Sequence, residues 1–471
     1  MTANADAPAD PLTTSPVAVS TDGRTFTYRG GDDALLLGDL ILLQTPDSAS
    51  FLGQVLEQAP ESTGTAVISA GSVIGLLDAD GVPRRSGRRP FAAATVVPAD
   101  AAVIEALQRD SGAGMTIGTW RNGALDVAAR LRAAGFNRHT FLCGQSGSGK
   151  TYALGVILEQ LLLDTNLRMV ILDPNADFVR LGDTRPETTA ADAQRLGEAE
   201  VRVLRSNAGG GQPLRMRFMT LPRQAQAAVL QLDPLVDRGE YNLFIHMMAN
   251  LTAQSLGEMI ERLRAGGADD RALAQRIENL GLTSWEVFAA ENASASEVVA
   301  TGARVTVMDL GGFEHPLEPH AVSLALVERL WANRESRTPT LIVIDEAHNL
   351  CPAQPSNSVQ AAITERLIQI AAEGRKYGLW LLLSTQRPSK LHPQVISQCD
   401  NLALMRMNST ADLAELGEIF GFVPPQLLQM SRNFVQGEAL VAGGFVPAPA
   451  LVRMGARLTQ EGGRDVSVPV V

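Results

Sequence analysis

The chain has 471 residues, 45% of them hydrophobic and 19% charged, a globular balance that excludes a disordered polymer and a length that calls for more than one core. A net charge of −11 argues against a protein that coats nucleic acid with its whole surface, while leaving open one whose Lys and Arg line a single face or a pore. No apolar run reaches the roughly 18 residues of a membrane span, and Cys143, Cys351 and Cys399 have no metal-ligand spacing, so a cytoplasmic protein with small buried thiols is expected.

Residues 1–16 are polar and rich in Ala, Asp, Pro and Thr, which reads as a loose tail. Over 17–110, short β-like runs (25–28, 40–43, 65–68 and 95–97) alternate with turn signals and predict a small β-barrel or sandwich. The basic loop Arg84-Arg85-Ser86-Gly87-Arg88-Arg89 within it reads as a solvated turn or as a nucleic-acid or partner contact. Residues 111–137 are expected to link this unit to the next. From Arg138 the pattern becomes strand–helix alternation, with apolar strands over 141–143, 168–172, 201–204, 305–308, 341–344, 379–383 and 402–405. Continuous Val, Ile and Leu runs separated by helices predict a mainly parallel sheet buried on both faces, so the fold class is α/β. Between 211 and 296 the strand signals stop. Helical spacing over 223–232, 241–251, 255–264 and 271–280 predicts a helical bundle inserted into a core formed by 138–210 and 297–445. Residues 446–471 read as a C-terminal tail.

The segment Gly144, Gln145, Ser146, Gly147, Ser148, Gly149, Lys150, Thr151 matches the phosphate-binding loop G-x-x-x-x-G-K-[ST] in full, between an apolar strand and an apolar helix that continues through Tyr152. The glycines let the backbone curl so that successive N–H groups face ATP phosphates at a helix N-terminus, where the dipole also favours anions. Lys150 can reach the β- and γ-phosphates, and the Thr151 hydroxyl can ligate Mg²⁺. A second strand, 341–344, ends in Asp345 and Glu346. Asp345 suits the magnesium shell and Glu346 the polarisation of an attacking water. Two adjacent acids at a buried strand end would be costly without a cation. The strand over 379–383 runs into Ser384, Thr385 and Gln386, whose amide can hydrogen-bond both γ-phosphate and water, or can simply cap the strand.

Taken together, Arg138-His139 before the loop strand, Asp173-Pro174-Asn175, Asp345-Glu-Ala-His348, Glu373-Gly-Arg-Lys-Tyr-Gly378 and Ser384-Thr-Gln-Arg-Pro-Ser389 resemble the HerA-type ATPases of the HerA–FtsK branch of RecA-like motors. The order and spacing cover about 138–445 apart from the insertion, and a barrel followed by a helical insertion fits that layout. Asn175-Ala176-Asp177 departs from the His-Gly-Glu that relatives tend to carry, so the roles around Asp173 stay open. The resemblance implies a homohexameric ring that hydrolyses ATP between subunits and moves double-stranded DNA through its pore, with a nuclease or other effector docked at the barrel, in DNA processing or antiviral defence. By position, Arg375 resembles an arginine finger offered to the neighbour's ATP, and Arg138 a second nucleotide-sensing arginine. Arg205, Arg215 and Arg217, flanking Gly209–Gly211, are candidate pore contacts or parts of a structural turn.

Asp-Glu-Ala-His also occurs in superfamily 2 helicases, but no Gln-x-x-Gly-Arg-x-x-Arg motif of a second motor domain is present. The ABC signature Leu-Ser-Gly-Gly-Gln and the GTPase Asn-Lys-x-Asp are missing too. A contrasting expectation is a nucleotide-gated ring scaffold that regulates an associated effector without productive DNA translocation.

Overall fold

The computed structural model of the protein describes residues 16–30, 35–62, 66–250, 255–288, 294–300 and 302–463. The expected N-terminal tail, apart from Pro16, lies outside the described residues, as do Thr65, Leu251 and the segment from 464 onward.

The N-terminal unit is a closed antiparallel barrel. Strands β1 (Val17–Ser20), β2 (Thr25–Gly30), β3 (Leu40–Gln44), β4 (Ser50–Pro60), β5 (Val67–Leu77), the short β6 (Pro83–Arg84) and β7 (Phe91–Pro98) form one sheet. Its order is β2-β1-β7-β3-β4-β5-β6, and a further β2–β5 pairing closes six of the strands into a ring. Alternation does the work: along β2, Phe26 and Tyr28 point inward while Thr25, Thr27 and Arg29 face solvent. Phe26 stacks on Tyr28 and Phe51 on Phe91 inside the barrel. Strands β4 and β5 cross so closely that a Cβ on Gly71 would stand 2.0 Å from the Gln54 carbonyl oxygen, so only glycine fits there. In the basic loop, Arg84 is held by Asp78 and Asp110, and Arg89 by Asp47.

The second sheet has twelve strands: β8 (Met115–Asn122), β9 (Leu125–Leu131), β10 (His139–Cys143), β11 (Arg168–Asp173), β12 (Val201–Arg205), β13 (Gln212–Pro213), β14 (Val305–Asp309), β15 (Thr340–Ile344), β16 (Leu379–Thr385), β17 (Cys399–Met405), β18 (Glu438–Gly443) and β19 (Ala450–Met454). The order is β13-β12-β14-β11-β15-β16-β10-β17-β18-β19-β8-β9. From β13 to β17 every pairing is parallel; from β17 to β9 every pairing is antiparallel. The seven apolar runs read from the sequence all lie in the parallel part, where helices cover both faces.

Three expected boundaries need correction. The presumed linker 111–137 is largely the hairpin β8–β9, paired to β19 at the sheet edge. Residues after 446 are not a tail as far as they are described, because β19 lies inside the sheet. The helix Ala101–Asp110, assigned to the barrel, stands outside it: Asp100 caps its N-terminus, and Gln108 bonds the backbone of β9. The barrel sits directly on this edge. Asn122 exchanges hydrogen bonds with the Leu40 backbone, Gln54 donates to the Pro449 carbonyl and Gly123 N donates to Asp39.

The insertion is helical as expected, with helices Arg223–Val229, Arg238–Asn250, Leu256–Arg264 and Ala268–Asn279. Its buried Phe244, Met259, Leu263 and Ile277 join the same apolar cluster as Ile342 and Leu381 of the sheet, so it is packed into the core rather than hung from it. Arg205, Arg215 and Arg217 are consumed nearby. Arg215, with 5% of its side chain exposed, is bound to Glu286 and Asn207; Arg205 faces Asp309 and Arg217 pairs with Glu297. Those pairings overturn the pore-contact expectation for Arg215 and favour the structural turn for the other two. The three cysteines are free and buried, and burial raises each thiol well above its ordinary value.

One buried ion pair fixes the chain after β19 to the helix Lys150–Asp164. Arg457 donates to Glu159 (2.9 Å), both side chains being fully buried, and Glu159 also accepts from the backbone of Leu458 and Thr459. The guanidinium lies against the helix at Gly155, where an added Cβ would stand 2.3 Å from its Cζ. Alanine for glycine inside a helix is ordinarily favourable by about 1 kcal/mol. Here Gly155→Ala must displace a guanidinium that Glu159 holds in place. Gly155→Ala is therefore expected to lower the thermal midpoint instead of raising it. Arg457→Ala, which leaves Glu159 buried and uncompensated, should cost about 3–5 kcal/mol; an unchanged melting curve for both variants would refute this account.

Candidate nucleotide site

Strands β10, β16 and β15 lie side by side, and their C-terminal ends deliver the three motif segments to one crevice, the usual ligand position for an open parallel sheet. The loop after β10 is shaped by Gly147 and Gly149, both with positive φ (72° and 92°), and the helix begins at Lys150. Neighbouring backbone holds it from outside. Gln145 N donates to Arg406 O, Gly437 N donates to Ser148 O, and Arg406 Nη2 donates to Gly147 O. Two loop carbonyls, Gly147 O and Ser148 O, and one loop N–H, that of Gln145, are thus engaged by neighbouring segments.

Lys150 is 4% exposed and joins all three segments. Its Nζ donates to Asp345 Oδ1 (2.8 Å) and Ser384 Oγ (2.9 Å) and lies 3.2 Å from Glu346 Oε1. Burial alone would lower the lysine pKa, but Asp345 and Glu346 outweigh it and the net shift is upward. Gln386 Nε2 donates to Glu346 Oε1 at 2.8 Å, so the polar strand tip and the candidate base are already in contact. Glu346 is held at φ 45°, a left-handed backbone that a non-glycine residue adopts at a cost of about 1–3 kcal/mol. That kink turns its carboxylate back toward Lys150. His348 Nδ1 lies 2.9 Å from Thr385 Oγ1 and 3.3 Å from Glu346 Oε2, and burial draws its pKa down, toward the neutral ring.

The surrounding cleft, about 980 Å³, is lined by the loop and Tyr152 on one side and by Asn175, Asp177, Gln386, Gln436, Arg453 and Glu461 on the others. Asp173 accepts from Asp177 N and Phe178 N, so it shapes the turn that carries Asn175 and Asp177 into the cleft. Burial raises the Asp173 pKa to about 7. Burial and then the Asp345 charge raise that of Asp177 to about 6. Asp345 Oδ2 and Ser148 Oγ are buried with no hydrogen-bond partner among the described residues. An orphaned carboxylate oxygen in a cleft richer in carboxylates than in cations fits a hydrated divalent cation. Thr151, at the start of the loop helix, and Asp345 are the residues that would hold it.

Arg375 and Arg138 are not in this crevice. Arg375 precedes β16 and Arg138 precedes β10, at the N-terminal ends of the strands whose C-terminal ends make the site. A strand of the length of β16 spans about 20 Å at roughly 3.3 Å per residue, too far for either side chain to reach its own loop. Both bind Asp400 instead. The contact of Ser384 with Lys150, and Arg406, Gln436 and Arg453 beside the loop, carry no signal in the sequence. The last three come from segments with no motif, and only the fold brings them to the loop.

The chain matches the family model described as the central domain of helicase HerA over residues 115–326. The match starts where β8 starts, in accord with the hairpin being part of the core. Residues 292–407 match the ATPase family associated with various cellular activities. The chain is similar to the DNA double-strand break repair helicase HerA of Sulfurisphaera tokodaii (23% identical over 355 residues, covering 72% of this chain and 69% of that one). It is likewise similar to that of Pyrococcus furiosus (22% over 399 residues, 70% and 69%). Among solved structures, VirB4 of Thermoanaerobacter pseudethanolicus shares the fold, with a TM-score of 0.50 at 15% identity over 73% of this chain and 97% of that one.

Lys150→Ala should abolish ATP turnover. It should also lower thermal stability by roughly 3–5 kcal/mol, because two buried carboxylates lose their counter-charge. Wild-type hydrolysis in that variant would remove the site assignment.

Proposed function

The chain is a HerA-type ATPase, and from that premise we propose that it works as a homohexameric ring in which each ATP is completed by the neighbouring subunit. The ring drives double-stranded DNA through its pore. The observation that carries this reading is the split of the machinery. Lys150, Glu346 and Gln386 sit at one end of the parallel strands, and Arg375 and Arg138 at the other, out of reach of their own ATP. A heterologous contact that places the arginine edge of one subunit on the loop edge of the next closes into a ring and completes every site.

Within the site, the N–H groups of Gly147, Gly149, Lys150 and Thr151 and the side chain of Lys150 bind the β- and γ-phosphates, and Tyr152 borders the cleft just beyond. Glu346 accepts the proton of the attacking water, oriented through its bond to Gln386, which also senses the γ-phosphate. Thr151 and Asp345 hold Mg²⁺, which when bound offsets phosphate charge. Arg375 of the adjacent subunit stabilises charge building on the γ-phosphate oxygens, an effect of about 10³–10⁵ in rate, and Arg138 reports nucleotide state. DNA contacts go to phosphates and are salt-sensitive. A nuclease or other effector docks on the barrel, in DNA processing or antiviral defence.

The acidic balance and the internal pairing of Arg205, Arg215 and Arg217 favour a second reading, a ring scaffold that gates an effector by nucleotide state. ATPase rates with and without linear duplex DNA separate the two. The motor reading requires stimulation, and a rate indifferent to DNA, alone and with the effector, leaves the scaffold.

Glu346→Gln should bind ATP and trap it, with turnover reduced by at least about 100-fold. Rings mixed from Glu346→Gln and Arg375→Ala subunits contain some interfaces free of both defects, so activity should partly return. No recovery in such mixtures would count against a shared site.

A further inference from the structure

Three loops that enter adjacent strands meet at one carboxylate. Arg375 lies in the turn before β16, Arg138 just before β10, and Asp400 at the start of β17, in the lateral order β16-β10-β17. Arg375 Nη1 donates to Asp400 Oδ2 at 2.8 Å, and Arg138 Nε lies 3.6 Å from the same oxygen. The segments behind the arginines are riveted together by His139. The ring receives Leu381 N–H at Nδ1 and, as the Nε2–H tautomer, donates to Ala371 O of the helix leading to Arg375. The two backbones are therefore fixed, while the two long side chains are held near each other by Asp400.

Two guanidiniums this close repel, and each would otherwise sample many rotamers in solvent. With side-chain exposures of 33%, 49% and 47%, the cluster is too wet to matter much for stability, so a structural role alone explains little. A finger that must meet a γ-phosphate in one geometry depends on preorganisation, because a displacement of about 1 Å can cost about 100-fold in rate. Asp400 accepts from Arg375 Nη1 and stands as a counter-charge 3.6 Å from Arg138 Nε, and among the described residues no bond occupies Arg375 Nη2 or the terminal nitrogens of Arg138. Those donors are left for an incoming anion.

We propose that Asp400 is a positioning residue for ATP hydrolysis, gathering Arg375 and Arg138 into one unit presented to the neighbouring subunit's γ-phosphate. The proposal rests on the reading that Arg375 acts between subunits.

The test is Asp400→Asn, with Asp400→Glu as the charge-conserving control. Asp400→Asn should lower kcat by about 10–100-fold, with the KM for ATP and the melting midpoint close to wild type, and Asp400→Glu should recover part of the rate. In mixed rings, Asp400→Asn subunits should regain activity with Glu346→Gln subunits. They should regain none with Arg375→Ala subunits, because both defects then lie on the same side of every interface. A merely structural role would not produce that pattern. Full activity of Asp400→Asn, or recovery when it is mixed with Arg375→Ala, would overturn the proposal. If Arg375→Ala itself gains nothing from Glu346→Gln, the between-subunit reading fails. If Arg375→Ala is rescued and Asp400→Asn is not, only the role of Asp400 fails.

Discussion

The contact of Lys150 with Asp345 and Glu346 is the constraint around which the core is arranged. Two consecutive carboxylates at the end of a buried strand demand positive charge, and Lys150 supplies it from the next-but-one strand, across Ser384. His348 beside them is held toward its neutral form and does not substitute. On the proposed reading, the carboxylates lose that charge when Lys150 turns to nucleotide phosphates, and a divalent cation arriving with the nucleotide would replace it. On that reading the need for a metal comes from the electrostatics of the strand end.

On the proposed between-subunit reading, the parallel sheet converts this local arrangement into a demand on assembly. All strands from β13 to β17 run the same way, so the crevice lies at one edge and the loops carrying Arg138, Arg375 and Asp400 at the other. The antiparallel extension β18-β19-β8-β9 seats the barrel through Asn122 and Gln54 and anchors the chain after β19 on the loop helix through Arg457 and Glu159. Barrel, loop helix and cleft wall are therefore joined by direct contacts.

Much of this was legible because the signals were local. The loop 144–151 carries its own glycines, and the Thr340–Ile344 strand is apolar at every position until Asp345, as a strand covered on both faces must be. What stayed hidden depended on partners distant in sequence. Strand β8 has a mixed burial pattern with Gly118 inside it, and nothing in Met115–Asn122 announces that β19 will pair with it. Arg457 reads as a surface residue until Glu159, on a helix nearly 300 positions earlier, encloses it. Arg215 beside a glycine run resembles a mobile basic loop, but Glu286 and Asn207 bury it. Hydrophobic period locates strands and helices. It says nothing of which charges will be paired.

The central claim is that one chain holds only part of a working site. The most direct measurement is the native mass of the assembly, with and without ATP, recorded together with the hydrolysis rate per subunit as the protein is diluted. The account predicts a mass of six 50.1 kDa chains and a rate that disappears as the ring dissociates. A monomer that hydrolyses ATP at the full rate would contradict it.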